Sequence, residues 1–239
     1  MSDLGTRFTD ARHAARVKQF NRVYRQAQQE IIEKLNEHTK RMNAKAKIKL
    51  AQLAAGTLSQ QDFDDWLNGQ VYIGKLWRDK VTSVTSTLMH ANQQCNAMVE
   101  NEKRAVFGEN ASFQAYQLEH DADLDLSFTV YDSATVTRLI KDEPELLPRK
   151  KVNGRKDQAW NRRAIANAVI QSIIQGESLD ETAKRIATQT CSKNKAAMTR
   201  YARTALTGAQ NAGRIEVMHE AQRMGIKVKK RWLAALDNL

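Results

Sequence analysis

The chain has 239 residues and a formal net charge of +11, and its composition is 41% hydrophobic but only 6% aromatic. With 10 Gly and only 2 Pro, this composition favours a largely helical protein and argues against a large compact core. No run of about 18 apolar residues occurs, so the sequence predicts no transmembrane helix. Cys95 and Cys191 lack metal-ligand spacing and are expected to be reduced thiols.

The N-terminal half carries two long amphipathic patterns. Residues 9–55 contain no glycine or proline, and apolar side chains recur every three or four residues from 20 to 42, which is typical of a helix with a coiled-coil-like seam. Gly56 is placed to end this helix, a short helix with a capping box begins at Ser59, and a second long helix covers about 71–107. Two long helices joined in this way predict an antiparallel hairpin that projects from a smaller body.

The pattern changes in the second half of the chain. Residues 124–132 alternate apolar and polar side chains, which predicts a strand, and both prolines lie in a predicted loop before residue 158. Three helices are predicted in the rest of this half. The first runs from about residue 158 to Gly176, and the second begins with a capping box at Ser178. The third runs from a cap at Ser192 to about residue 224.

A second strand is predicted at residues 226–236, where basic side chains would pair with the acidic side chains of 124–132 in a short sheet. The predicted fold is therefore mainly α. It consists of a long antiparallel N-terminal helical hairpin, residues 1–120, and a smaller α+β domain with a short sheet, residues 121–239.

Charge is unevenly distributed along the chain. Residues 7–49 hold 12 Lys/Arg against 4 Asp/Glu, residues 121–147 hold 2 against 7, and residues 148–239 hold 19 against 7. Two basic segments flanking an acidic middle indicate a polyanionic partner, most often nucleic acid, while solvated helix faces are the alternative. Because no base-reading motif is present, binding is expected to be independent of sequence and to weaken with salt. The candidate nucleic-acid-binding residues are Arg12, Arg16, Arg22, Lys45, Lys150, Lys151, Arg155, Lys227, Lys229 and Lys230.

Residues 202–214, ARTALTGAQNAGR, combine two stripes on one predicted helix. The first is a ridge of small side chains, formed by Ala202, Ala205, Ala209 and Ala212 with Gly208 and Gly213 beside it. The second is polar, formed by Arg203, Thr207, Gln210 and Arg214. The small ridge predicts the close approach of another element. The polar stripe is either a contact line to phosphate or a partner protein, or a set of internal hydrogen bonds with the arginines paired to acidic residues of 121–147. The internal alternative is favoured.

Residues 202–237 resemble the signature of the phage head morphogenesis family, the minor head proteins of tailed phages, a group that includes the F protein of phage Mu. Blocks at 127–140 and 159–186 agree in the same order, so the resemblance covers about residues 124–237. The signature residues are Arg203, Thr204, Gln210, Asn211, Gly213, Arg214 and Trp232.

The resemblance implies a minor capsid component, present in few copies inside the virion near the portal, that aids head assembly and DNA delivery. It implies the portal protein as a partner, with the major capsid or scaffolding protein as further candidates. The charge of the chain adds double-stranded DNA, bound without sequence preference, as an expected partner. The implied location is the capsid interior, and the host cytoplasm during assembly. Family members commonly continue past the tryptophan strand, so the resemblance implies either a longer natural chain or a fragment ending at Leu239.

No catalytic residue, metal site or cofactor is predicted. The five histidines form no HExxH pattern, and the acidic stretch 119–125 lacks the glycine and closing glutamate of a calcium loop. We therefore expect a protein that is not an enzyme, with a site beyond residue 239 as a remote option. The alternative function is a general nucleic-acid-binding protein without sequence specificity.

Overall fold

The computed structural model describes residues 3–68, 75–122, 152–175 and 177–228. Within these ranges the chain forms α-helices joined by short turns. The helices are α1 (Leu4–Ala54), α2 (Gln60–Asn68), α3 (Lys75–Ala122), α4 (Arg155–Ile174) and α5 (Leu179–Arg223).

Capping contacts explain where two of the helices begin. At the start of α2 the Ser59 hydroxyl accepts a hydrogen bond from the Asp62 amide at 3.1 Å. At the start of α5 the Ser178 hydroxyl accepts one from the Glu181 amide at 3.3 Å, and the Glu181 carboxylate accepts one from the Ser178 amide at 2.7 Å. These reciprocal bonds satisfy amides that have no partner inside the helix. The caps predicted at Ser59 and Ser178 are confirmed.

Glycines in the left-handed region end α1 and α5. Gly56 has φ 72° and Gly225 has φ 86°, a conformation that costs glycine little because it has no Cβ. After Gly225, the Ile226 amide donates to the Ala221 carbonyl at 3.0 Å. This is the bonding of a Schellman motif, which satisfies the last carbonyls of the helix.

Two helices are longer than the sequence predicted. The helix expected to start at Ser192 is part of α5, which continues from residue 179, and α3 continues through Gly108 to Ala122. The start at Ser192 was predicted from a single cap-forming residue, and whether α3 would continue past Gly108 was left open. Such a residue costs at most about 1 kcal/mol in a helix interior, and tertiary packing overrides a cost of that size.

The predicted α+β body with a sheet is wrong, since the described residues are entirely helical apart from turns and caps. The strand predicted at 124–132 lies outside the described residues, as does most of 226–236. Residues 226–228, which the structure does describe, follow α5 without forming a strand. Alternation of apolar and polar residues is a local signal, and here the residues after Gly225 take part in the helix cap.

The chain divides into two compact units. Unit 1 comprises residues 1–14, 99–149 and 203–239, and unit 2 comprises residues 15–98 and 150–202. Each unit combines residues from before and after position 120. The units therefore do not coincide with the domains 1–120 and 121–239, which stay a prediction.

In unit 2, α1 runs antiparallel to α3. The Tyr24 hydroxyl bonds Asn92 and the Lys34 ammonium bonds Thr87, so residues further along α1 meet residues earlier in α3. α5 also belongs to this unit, where Gln28 bonds Thr188 at 3.1 Å. Within unit 2 the antiparallel α1 and α3 are thus packed with α5, and a separate arm over residues 1–120 stays a prediction.

In unit 1, the apolar core lies mainly between α3 and α5. Its buried side chains are Val106, Phe107, Ala111, Ala115, Leu206, Ala209, Ala212 and Val217, with Phe8 of α1 packed against them. Half of these buried side chains are alanine. The two helices can therefore lie close together.

Candidate nucleic-acid interface

The glycine at the signature segment marks a close helix crossing in unit 1. A Cβ added to Gly213 would lie 2.3 Å from the carbonyl oxygen of Phe107 and 3.2 Å from the amide nitrogen of Ala111. Only glycine therefore fits at this point without displacing α3. The alanines at 202, 205, 209 and 212 are all buried, so the predicted role of the small ridge in close packing is confirmed.

Two residues of the polar stripe, Gln210 and Arg214, make internal hydrogen bonds, while Arg203 and Thr207 are exposed. Gln210 donates to the Thr6 hydroxyl at 2.9 Å. Arg214 donates from Nη2 to Asp3 at 2.7 Å and from Nε to Asn110 at 3.3 Å. These contacts fit the internal interpretation of the stripe, with Asp3 as an acidic partner of Arg214. Most of the acidic stretch 121–147, which was predicted to pair with the arginines, lies outside the described residues.

Asp3 also caps α1, since its carboxylate accepts a hydrogen bond from the Thr6 amide at 2.7 Å. Partial burial acts to raise the pKa of Asp3, but the hydrogen bonds from Arg214 and Thr6 outweigh it and hold the pKa below its usual value. Asn110, fully buried, donates to the Val106 carbonyl at 2.9 Å and to the Thr9 hydroxyl at 3.2 Å. The signature thus ties the first residues of α1 to α3 and α5.

The remaining signature residues are not part of this cluster. Arg203, Thr204 and Asn211 are exposed on α5. Trp232 lies outside the described residues. The structure therefore brings Gln210, Gly213 and Arg214 together around the N-terminus of α1, and places the others that it describes on the surface of the same helix.

The basic residues proposed from sequence fall into three groups. Arg12 bonds the buried Glu102 at 2.9 Å and lies 4.8 Å above the Phe8 ring, and Arg16 bonds Gln19 at 2.6 Å. These two have structural contacts. The exposed members are Arg22, Lys45, Arg155 and Lys227. The members outside the described residues are Lys150, Lys151, Lys229 and Lys230.

Sequence reasoning missed a groove between α4 and α5 in unit 2. It has a volume of about 350 Å³ and is lined by Val152, Asp157, Trp160, Lys193, Asn194, Ala196, Ala197 and Arg200. Lys193 and Arg200 are seven residues apart on α5, two helical turns, and so lie on one face of the helix. That spacing was readable in the sequence, but the position of Trp160 opposite it depends on how α4 packs on α5.

Within unit 2, α4 and α5 expose more cations than acidic side chains. Exposed cations on these helices within unit 2 include Arg155, Lys156, Arg162, Arg163, Lys184, Lys193 and Arg200. Of the four acidic residues on or beside these helices in unit 2, Asp180 is exposed in the first turn of α5, and the other three are engaged in local contacts. Asp157 accepts a hydrogen bond from the Gly154 amide at 2.7 Å, Glu181 caps α5, and Glu177 pairs with Arg185. A surface of this kind can hold a polyanion through its phosphates.

Beneath the groove, unit 2 contains a buried chain of neutral polar side chains. Asn194 accepts a hydrogen bond from Asn92 at 2.9 Å and donates to Asn161 at 2.7 Å and to the Thr190 carbonyl at 2.8 Å. Asn92 in turn accepts a hydrogen bond from the Tyr24 hydroxyl at 2.5 Å. The network joins α1, α3, α4 and α5, and it satisfies groups whose burial would otherwise be costly.

Two thiols are buried in the same unit. Burial raises the pKa of Cys95 to about 12 and the pKa of Cys191 to about 12, and both are free thiols. Groups so shifted are inert at neutral pH, because the thiolate is the reactive form. Among the described residues no cluster of His, Cys, Asp and Glu is arranged to hold a metal ion. In the same part of the chain, no helix combines the length and the hydropathy needed to cross a membrane.

Comparison with protein-family models, with curated proteins and with solved structures finds no match. The geometry of the chain and its sequence patterns are therefore the basis for a functional proposal.

Proposed function

We propose that the chain is a minor head protein of a tailed phage, a structural component inside the head near the portal that aids head assembly and DNA delivery. The observation that carries this proposal is the ordered resemblance of residues 124–237, with its dense block at 202–237, to the phage head morphogenesis family. Under this proposal the protein is not an enzyme and uses no cofactor.

The roles of the signature residues support the proposal. Gly213 permits a close crossing of α5 with α3, and Gln210 and Arg214 hold the start of α1. Residues whose type is fixed by packing and buried hydrogen bonds mark a shared fold, whereas catalytic motifs mark a shared reaction. A signature of this kind is what a structural protein family would carry.

The charge of the chain supports contact with DNA inside the head. The net charge is +11, and Arg22, Lys45, Arg155 and Lys227 are exposed. Exposed cations without a base-reading element give binding that depends on phosphates alone. The proposed partners are thus double-stranded DNA and the portal protein, with the major capsid or scaffolding protein as further candidates. The proposed location is the capsid interior after assembly in the host cytoplasm.

Co-purification tests the head assignment. The tagged chain is co-expressed with the portal and major capsid proteins of a tailed phage, and the assemblies are isolated by sedimentation in nuclease-treated lysate, so that DNA cannot bridge them. We expect the chain to sediment with portal assemblies. Absence of the chain from both portal and capsid fractions would contradict the proposal. A variant with Arg22, Lys45, Arg155 and Lys227 changed to Gln serves as a control and should still sediment with the portal.

A general nucleic-acid-binding protein is the second candidate, and the positive surface of α4 and α5 favours it. Under either function, the chain should bind duplexes of unrelated sequence equally, and the affinity should fall as a power of salt concentration. The four-residue Gln variant should reduce the salt exponent by about 1 for each phosphate that it no longer neutralises. Salt-dependent binding without any portal or capsid association would favour the second candidate. Tight binding that salt leaves unchanged would count against both.

A further inference from the structure

The α4–α5 groove places an aromatic ring among cationic side chains. Trp160 lines the groove from α4, and Lys193 and Arg200 line it from α5. The ammonium of Lys193 lies 5.7 Å from the centroid of the Trp160 ring. Trp160 is only half-buried, so part of its ring faces the groove. An aromatic platform in a positive groove is the arrangement by which proteins hold unpaired bases.

The groove is shaped for a flat group. Ala196 and Ala197 lie between the two cations on α5, and their short side chains leave the space beside the ring open. Lys193 and Arg200 stand two turns apart, about 10 Å along the helix axis. A base stacked on Trp160 would thus have a cation on either side, where its backbone phosphates continue.

One acidic side chain, Asp157, also lines the groove. Its carboxylate accepts a hydrogen bond from the Gly154 amide at 2.7 Å and lies at the N-terminal end of α4, where the helix dipole offsets negative charge. The cations of the groove therefore outweigh it. Asn194, at the floor, is held by its bonds to Asn161 and Thr190, which keeps α4 and α5 in register beneath the ring.

We infer that the groove binds single-stranded nucleic acid, with one unpaired base stacked on Trp160 and phosphates held by Lys193 and Arg200. A duplex does not meet this geometry, because both faces of each base are covered by its neighbours and exposing one face costs stacking and pairing. The base takes the place of the Lys193 ammonium over the ring, and the displaced ammonium reaches the phosphate. This inference rests on the nucleic-acid-binding part of the proposed function and is independent of the phage-head assignment.

Two oligomers of equal charge test the inference. A fluorescein-labelled 12-nucleotide thymidine strand is compared with a 12-residue abasic strand, which has the same phosphates but no bases, by anisotropy titration at one salt concentration. We expect the thymidine strand to bind the unaltered chain about ten-fold more tightly, the contribution of a stacked base. Trp160→Ala should abolish this difference, and Trp160→Phe should retain most of it. Equal affinity of the two strands for the unaltered chain would overturn the inference.

Matched charge variants separate the groove from the general positive surface. Arg162→Gln removes an exposed cation of α4 that does not line the groove, and it should weaken both strands equally and slightly. Lys193→Gln should weaken the thymidine strand several-fold more than Arg162→Gln does, and lower its salt exponent by about 0.7. If Lys193→Gln and Arg162→Gln have the same effect, the inference is wrong.

An acidic peptide is the competing ligand for a positive groove. Poly-glutamate of 12 residues is titrated under the same conditions, and binding that depends on Trp160 as strongly as the thymidine strand does would overturn the inference in favour of a protein partner. Circular dichroism checks that each variant keeps its helical content. If Trp160→Ala loses it, the comparison of the two strands on the unaltered chain and on Trp160→Phe still decides. Binding of the thymidine strand is measured separately from duplex binding and from portal association. Failure of this inference is therefore distinguishable from failure of the proposed function.

Discussion

The two units use opposite solutions to hold long helices together. In unit 1, the backbones of α3 and α5 approach each other closely at Gly213, alanines line the same core, and an ion pair between Arg214 and Asp3 lies at the edge. In unit 2, a buried network of neutral amides and a hydroxyl joins four helices. The α3–α5 crossing of unit 1 therefore depends on the absence of side-chain volume, and the four-helix junction of unit 2 depends on the hydrogen bonds of its amide network. Perturbations of each kind should act on one unit far more than on the other.

The largest effect is expected for the reactivity of the two thiols, which are buried in unit 2. Burial raises the pKa of Cys95 and of Cys191 to about 12, so at pH 8 the thiolate fraction falls about 1000-fold below that of a thiol with the ordinary value. We expect both to react with Ellman's reagent at least about 1000-fold more slowly in the native chain than in urea. Rapid reaction of either thiol without denaturant would contradict the burial of this region.

Asn194→Ala should have the next largest effect. It removes the acceptor of the Asn92 side-chain N–H₂ and the donor to the Asn161 side-chain carbonyl, and both of these residues are fully buried. We expect a loss of about 3 kcal/mol in the free energy of unfolding, measured by urea denaturation, with faster thiol reaction. Asn211→Ala, on the exposed side of the same helix, is the control and should change the free energy by less than about 0.5 kcal/mol.

A combined variant tests whether the three asparagines stabilise unit 2 as one network. Replacing Asn92, Asn161 and Asn194 together by Leu removes donors and acceptors at once. It should therefore cost less than the sum of the three single changes. An additive cost would show that the amides act independently and not as a network.

Gly213→Ala should destabilise unit 1 by about 2 kcal/mol. The new Cβ would lie 2.3 Å from the Phe107 carbonyl oxygen, and the cost of overpacking exceeds the gain of about 1 kcal/mol in helix propensity. Hydrogen exchange should increase in residues 99–122 and 203–223, with a smaller change in residues 80–98. Thr207→Ala, exposed on the same helix, is the control. A variant as stable as the parent would show that the helices can separate without cost.

The smallest effect is expected for the charge at the edge of unit 1. Asp3→Asn keeps a good N-cap but removes the ion pair with Arg214, and because Asp3 is partly exposed to solvent the loss at pH 7 should be about 0.5 kcal/mol. The pKa of Asp3 is lowered in the folded chain, so its contribution is present above the unfolded value and is lost as pH falls through the folded value. Parent and variant should thus converge in acid, below the folded pKa. Asp10→Asn, exposed on the same helix, is the control and should change the free energy of unfolding at pH 7 by less than Asp3→Asn does.

The features predicted correctly from the sequence are those set by residues close together in the chain. Capping boxes at Ser59 and Ser178 place the helix starts because their partners are three residues away. The ridge of small residues at 202–212 predicted a close approach, although not that α3 supplies it. Alternation at 226–236 predicted a strand where residues 226–228 follow a helix cap, since the pattern carries no information about the cap that precedes it.

Long-range partners were beyond the sequence pattern. Arg214 pairs with Asp3, 211 positions away in the chain, and no spacing rule connects them. The α4–α5 groove could not be predicted for the same reason. The spacing of Lys193 and Arg200 places them on one face of α5, but it does not indicate that the Trp160 ring lies opposite them. Such contacts depend on how the helices pack, which composition and periodicity leave open.

The close crossing at Gly213 also limits how the gene can change. Every single-nucleotide change that replaces a glycine codon with another amino acid adds at least a Cβ. Here the Cβ meets a main-chain carbonyl, a group that every residue at position 107 carries. No exchange at position 107 can therefore make room, as a smaller side chain would in an ordinary core contact. Compensation has to come from a shift of a whole helix, and several simultaneous substitutions must support such a shift. Gly213 therefore cannot be replaced through a series of single tolerated substitutions.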